Sequence, residues 1–350
     1  MRGLAVVIMI EAHTLDAWTT LADRSSLAFG WSMVLAGMAA PLFLFMAGVS
    51  VALAAGSRAR KVGDAAAARS VMRRGWEVLG LAFLFRLYTW LLSPGASLRG
   101  WLKVDILNVM GPSIVVAAAV WRLGRSATAR VLWLSAATVA LAMFSPVVRN
   151  ATWLDVLPDP LETYFRPGKG LSTFSFFPWT AFVTAGAALG AVLQAAGRDQ
   201  ARRMAAGCAV AGVGLWALGY RLSFLPSIYP AGQASFWTTS PTFLCLRVGL
   251  LTVAVAAAWA WGQRPWRRLF WSPLEVLGAS SLFVYWVHIE LVYGLLATPL
   301  RKALPFPWAV LAYGLFTAFM LWLTLVKLRV VASWQVRALA RLHEKASKNG

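Results

Sequence analysis

Three ionisable residues near the start of the chain have spacings that suit acid–base chemistry. His13 follows Arg2 by 11 residues, and Asp16 follows His13 by three. On an α-helix 11 residues make just over three turns, so Arg2 and His13 share a face, separated by roughly 16 Å along the axis. Asp16 falls one turn further along the same face, where a carboxylate could fix the imidazole tautomer and support a basic ring nitrogen. Glu11 points away from that face and is expected to meet another helix. A histidine so placed could serve as general base or as nucleophile.

The elements that must carry these groups follow from composition. Of the 350 residues, 59% are hydrophobic and only 13% charged, whereas a soluble domain carries about a quarter charged residues. Stretches such as Ile106–Val120 and Val131–Val148 hold no Asp, Glu, Lys or Arg. About 20 mostly apolar residues cross the hydrocarbon core of a bilayer. The sequence therefore predicts an all-α, polytopic membrane helix bundle of about ten transmembrane helices. The spans fall at Gly3–Thr20, Ala28–Ala55, Trp76–Leu92, Val104–Trp121, Val131–Val148, Phe174–Ala196, Met204–Leu222, Thr239–Trp261, Leu274–Ala297 and Trp308–Val331. Pro41 predicts a kink in the second span. Residues 1–332 read as the transmembrane domain and 333–350 as a basic cytoplasmic tail, either solvated or lying as an amphipathic helix on the inner leaflet. The first apolar stretch runs into Glu11, His13 and Asp16 without a small-residue cleavage site, so it reads as a span rather than a signal peptide. Its abrupt start at Met1–Arg2–Gly3 leaves room for a missing upstream segment.

The net charge is +20, but the basic residues lie between apolar runs, as orientation signals do, and no nucleic-acid-binding motif accompanies them. Every even-numbered span exits into a basic segment: Arg58, Arg60, Lys61, Arg69, Arg73 and Arg74; Arg122, Arg125 and Arg130; Arg198, Arg202 and Arg203; Arg264, Arg267 and Arg268; and a tail with Lys327, Arg329, Arg337, Arg341, Lys345 and Lys348. The positive-inside rule then puts both termini in the cytoplasm. Residues 149–173 and 223–238 become outer loops long enough to act as lids or binding loops. Cys208 and Cys245 lie in apolar runs without metal-ligand spacing and read as small core residues.

With orientation assigned, depth can be estimated. Arg86, Asp105, Asn108, Arg247, Tyr285, His288 and Glu290 all fall in the outer half of their spans, near the level of His13. Polar groups at that depth cost a few kcal/mol each unless they meet partners. Their coincidence across five helices points to a polar cavity in the bundle. Plain interhelical pairs would account for Arg86 with Asp105, or Arg247 with Glu290, equally well, and His13 alone could be a satisfied core histidine.

Several segments carry a family resemblance: Arg2–His13 (RGLAVVIMIEAH), Pro41–Ser50 (PLFLFMAGVS), Asp105–Gly111 (DILNVMG), Phe176–Trp179 (FFPW) and Leu277–His288 (LGASSLFVYWVH). In this order they resemble the heparan-α-glucosaminide N-acetyltransferase-like membrane family, over most of the chain. Arg2 and His13 also resemble the Arg-x10-His element of acyltransferase-3 type membrane acyltransferases. The resemblance implies transfer of an acetyl or other acyl group from cytoplasmic acyl-CoA to a sugar or glycan acceptor on the far side, with His13 as the catalytic group. Asp16 is then its orienting partner. Arg2, Arg73 and Arg74 suit the CoA phosphates. Arg86, Asp105, Asn108, Arg247, Tyr285 and His288 suit the acceptor or the oxyanion. Expected partners are acyl-CoA (acetyl-CoA as co-substrate, with no metal), the glycan acceptor and membrane lipids, but no nucleic acid, with a homodimer as one option. The high Ala and Arg content suggests a bacterial cytoplasmic membrane. A transporter or flippase of a small anion or lipid-linked substrate is the alternative, and a family member without catalysis is a third reading.

Overall fold

The computed structural model describes residues 1–93, 97–168, 170–195, 200–264 and 271–348, with side chains to residue 335 except that of residue 98. Arg198, Arg267 and Arg268, counted above as orientation signals, lie outside the described residues, as do the side chains of Arg337, Arg341, Lys345 and Lys348. Among the described residues the secondary structure is helical, with two isolated bridge pairs, Thr19 with Leu304 and Val104 with Ser172.

The helices are α1 (Arg2–Trp18), α2 (Leu27–Ala36), α3 (Ala39–Val62), α4 (Asp64–Leu91), α5 (Ile106–Leu123), α6 (Ala127–Arg149), α7 (Asp159–Glu162), α8 (Phe176–Ala195), α9 (Ala201–Leu222), α10 (Pro241–Gly262), α11 (Pro273–Ala279), α12 (Ser281–Tyr293) and α13 (Phe306–Lys348). Each expected span has its helix or helix pair. Among the described residues seven helices are long and apolar enough to cross a membrane, or eight if α11 and α12, bent by 88°, form one broken span. The chain is an integral membrane protein with an all-α architecture. Two of the ten expected spans fall short of that measure: α1 has 17 residues, and α4 carries Arg73, Arg74, Glu77 and Arg86 along its length.

Other departures concern where helices break. The second span is interrupted at Gly37–Met38, between α2 and α3, rather than at Pro41. Pro41 instead sits in the first turn of α3, where its missing N–H costs nothing. The basic segment after α3 is a helical hairpin, not a loop, because α4 begins at Asp64 directly after Gly63. That glycine has φ of 80°, which a residue with a Cβ adopts only under strain. The basic tail continues α13 to Lys348.

The helices form two compact units, Met1–Ala39 with Phe270–Gly350, and Ala40–Leu269. In the first, α1 is the central element, buried on most of its faces and packed on α11, α12, α13 and α2. Its N-terminal turn crosses α11 at backbone distance: a Cβ on Gly278 would lie 2.7 Å from the Gly3 nitrogen, and a Cβ on Gly3 would overlap the Leu274 carbonyl. Small residues permit such crossings between membrane helices. At the other end, Lys302 N–H donates to the Ala17 carbonyl and Leu304 N–H to the Trp18 carbonyl, each at 2.9 Å. There Ala17, Trp18 and Val292 form a buried cluster with Leu300, Leu304, Ala312 and Phe316 around it.

In the second unit α8 is buried along most of its length and contacts α5 and α6. Hydroxyls tie these helices: Ser113 to Thr180 at 2.7 Å and Thr138 to Thr184 at 2.8 Å. Gly186 of α8 packs directly on the Phe45 carbonyl of α3. Arg130 closes one end of the unit. It bonds Asp64 at 2.6 Å, donates through Nε to the Gly124 carbonyl at 3.0 Å, and lies 3.9 Å over the Trp121 ring.

A side chain at the α1–α11 crossing should separate the two helices. Gly278→Leu is expected to lower stability by about 1–3 kcal/mol or more, as overpacking does, seen as a lower melting temperature in nanodiscs. Unchanged melting would refute the close crossing.

Candidate active site

The first unit brings together His13 of α1 and His288 of α12. His13 Nδ1 lies 2.8 Å from His288 Nε2. The ring planes differ by 17° with centroids 5.0 Å apart, so the rings meet edge to edge and nearly coplanar, as an in-plane N–H···N bond requires. His288 has no exposed surface, and its Nδ1 lies 2.8 Å from the Val284 carbonyl one turn earlier. Tyr293 meets the His13 ring edge-on at 5.7 Å, and Tyr285 meets the His288 ring edge-on at 5.9 Å.

Proton positions follow from the partners. The Val284 carbonyl only accepts, so His288 Nδ1 carries a proton. A neutral imidazole then has a bare Nε2, which can only accept from His13 Nδ1–H. In neutral His13 that leaves Nε2 with its lone pair, and no hydrogen bond to the protein engages it among the described residues. Neutral rings are what burial favours, since an unpaired charge there is costly.

Asp16, expected from sequence to orient His13, makes no hydrogen bond to it among the described residues. Its carboxylate bonds Arg24 at 3.0 Å, with the Asp16 side chain 53% exposed, and Arg24 also donates to the Asp16 carbonyl. His13 Nδ1 already has its partner in His288. Arg24, which pins the C-terminal end of α1, does not stand out in the sequence, because a lone arginine in a short loop looks like any surface charge.

Arg2 opens α1 at an exposed position beside Gly278 of α11. Lys327, assigned from sequence to the tail, lies within α13. Its ammonium is 3.4 Å from Ser280 Oγ, at the break between α11 and α12, and 5.6 Å from the Phe283 ring centroid. On α12, Glu290 Oε1 is buried without a hydrogen-bond partner among the described residues.

The remaining candidates belong to the second unit. Arg86 of α4 bonds Asp105 at 3.0 Å, with side-chain exposures of 17% and 5%. Asp105 also caps α5: its Oδ1 accepts from Leu107 and Asn108 N–H at 2.9 and 3.2 Å, and Asn108 Oδ1 accepts in return from Asp105 N–H at 3.1 Å. Asn108 reaches Tyr164 of the segment between α6 and α8 at 3.4 Å. Burial and neighbouring Arg86 push the Lys103 ammonium below its ordinary pKa, while Asp105 acts the other way. This geometry accounts for Asp105 and Asn108 as a capping box joined to a buried ion pair. The segment between α6 and α8 is organised by Arg166, which bonds Asp155 and, at 2.6 Å, Glu162; these bonds hold its pKa above the ordinary value. Arg247 of α10 lies 4.0 Å over the Phe243 ring. Arg73 and Arg74 are exposed on α4 and pair with Glu77 at 3.3 and 3.0 Å.

Residues 1–225 match the family model described as heparan-alpha-glucosaminide N-acetyltransferase, catalytic. The chain belongs to the heparan-alpha-glucosaminide N-acetyltransferase family. It is thereby a member of a membrane N-acetyltransferase family, as its ordered motifs suggested. The match takes in α1 with His13 and the helices through α9; His288 lies beyond it. No curated protein matches the chain. Among the described residues no group of three or more His, Cys, Asp or Glu converges as a metal site would require.

Two substitutions separate support of the fold from chemistry. Asp16→Asn removes an exposed pair worth at most about 1 kcal/mol, so acetyl transfer should stay within about fivefold of wild type; a loss of hundredfold or more in a turnover assay would return Asp16 to the reaction. Asp105→Ala leaves Arg86 buried and unpaired, and should cost about 3–5 kcal/mol of stability, measurable by thermal unfolding.

Proposed function

We propose that this chain transfers an acetyl group from cytoplasmic acetyl-CoA to an amine or hydroxyl of a sugar or glycan acceptor on the other side of the membrane, with His13 as general base. The observation that supports it is the lone pair left on His13 Nε2 by the chain of hydrogen bonds through His288 to Val284. Family membership supports acetyl transfer, and the resemblance noted above supplies acetyl-CoA as donor.

The step balances as follows. The acceptor nitrogen or oxygen attacks the thioester carbonyl carbon while His13 Nε2 takes its proton. The new C–N or C–O bond forms, the C–S bond breaks, and the proton passes from Nε2 to the departing CoA sulfur. General-base help of this kind contributes about 10²–10⁴-fold. Neither Glu11 nor Asp16 is needed as a base in this scheme.

Donor access from the cytoplasm rests on the basic inner segments. Arg58, Arg60, Lys61, Arg69, Arg73 and Arg74 cluster on the α3–α4 hairpin, and Arg122, Arg125 and Arg130 follow α5. They favour a cytoplasmic hairpin by the positive-inside rule and raise the local concentration of an anionic donor. The positive-inside rule assigns Arg2, at the start of α1, to the cytoplasmic rim, with His13 roughly 16 Å deeper. A bacterial cytoplasmic membrane fits the composition.

Purified protein in nanodiscs should release CoA from radiolabelled acetyl-CoA when a glucosamine-type acceptor is supplied. His13→Ala should lower that release by about 10²–10⁴-fold. Equal release by both proteins would remove His13 from the reaction. Absence of acetyl-CoA binding by wild type would favour a transporter.

A further inference from the structure

We infer that His288 is a positioning residue for His13, a neutral second histidine that dictates which nitrogen of His13 is basic. The inference rests on the proposed role of His13 as base and adds the residue that makes it one. In water a neutral histidine prefers to carry its proton on Nε2, which would leave Nε2 unable to accept a proton. Here the preference is reversed by two bonds in series. The Val284 carbonyl accepts a hydrogen bond from His288 Nδ1–H at 2.8 Å, and the bare His288 Nε2 accepts one from His13 Nδ1–H at 2.8 Å. His13 is thereby fixed in the Nδ1–H form with Nε2 open.

Helix geometry makes this arrangement stiff. Val284 and His288 are four residues apart on α12, so the carbonyl at position i is the natural acceptor for a side chain one turn later. That carbonyl is part of the same rigid helix as the ring it orients. His288 is completely buried and cannot exchange its partner for water. The close crossing of Gly3 and Gly278 sets α1 against α11, and the bonds of Lys302 and Leu304 to the end of α1 hold its other end.

The relay also serves the reaction itself. When His13 Nε2 takes the acceptor proton, the imidazolium keeps its Nδ1–H on His288 Nε2. That bond becomes charge-assisted, about twice as strong as a neutral one. No proton moves onto His288, and none needs to leave its Nδ1. In many acyl-transfer sites a carboxylate orients the base. Here a neutral ring does so, sparing the membrane interior a buried negative charge. Asp16, bound to Arg24, is left free of the task.

The test begins with unmodified protein. Nitrogen NMR of 15N-histidine-labelled wild type in nanodiscs distinguishes protonated from bare ring nitrogens. With three histidines in the chain, His343→Gln and the His13 and His288 variants assign the signals. The expected result is a protonated Nδ1 and bare Nε2 on both His13 and His288; a His13 protonated on Nε2 and bare at Nδ1 would overturn the inference. In turnover assays His288→Met, similar in volume but with no strong acceptor, should lower kcat on the order of 10²-fold, as a wrongly held tautomer does. KM for acetyl-CoA should change little. His288→Gln, whose side-chain carbonyl can accept from His13 Nδ1, should recover about tenfold over His288→Met. A folded His288→Met protein with wild-type kcat, or a His288→Gln protein no better than His288→Met, would overturn it. If His13→Ala proves fully active, the general-base reading of His13 fails by itself, while the NMR result still decides the tautomer.

Discussion

The hydrogen bond from His288 Nδ1 to the Val284 carbonyl decides the proton distribution of the site. A carbonyl can only accept, so one proton is placed without ambiguity. Each remaining assignment, from His288 Nε2 to His13 Nδ1 to His13 Nε2, follows by exhaustion. The bond exists because the two residues are one helical turn apart on α12 and because burial denies His288 any alternative. The rest of the first unit serves to hold α1 against this helix. Glycines permit the approach at one end, and backbone bonds from the 295–305 segment fix the other.

Much of the fold could be read from the sequence because hydrocarbon is a demanding solvent. Runs of about 20 apolar residues have few other uses, and all ten expected spans have their helices. Helix breaks were harder to read. Pro41 suggested a kink, yet Pro in a first helical turn is harmless, and the break falls at Gly37–Met38. The α3–α4 hairpin looked like a loop because its many charges resemble solvated linker, whereas one left-handed glycine suffices to join two helices. The 88° bend between α11 and α12 lies in a sequence, Leu277–Ser281, that carries no proline.

The site was legible in part for the same reason. His13 and His288 stood out because buried ionisable groups are costly and rare. Their partnership did not, since 275 residues separate them and helix periodicity says nothing about which helices touch. Asp16, one turn beyond His13, looked like the orienting group; in three dimensions Arg24 binds its carboxylate. Within the second unit, Asp105 and Asn108 cap α5 and Asp105 pairs with buried Arg86.

Chemical modification tests the central claim most directly, because diethyl pyrocarbonate attacks a ring nitrogen that holds a free lone pair. Protein in nanodiscs would be treated with the reagent, with and without acetyl-CoA, and the modified histidines located by mass spectrometry alongside residual acetyl transfer. The account predicts modification of His13 but not His288, loss of activity in step with it, and protection of His13 by acetyl-CoA. Modification of His288 in preference to His13, or activity that survives full modification of His13, would contradict it.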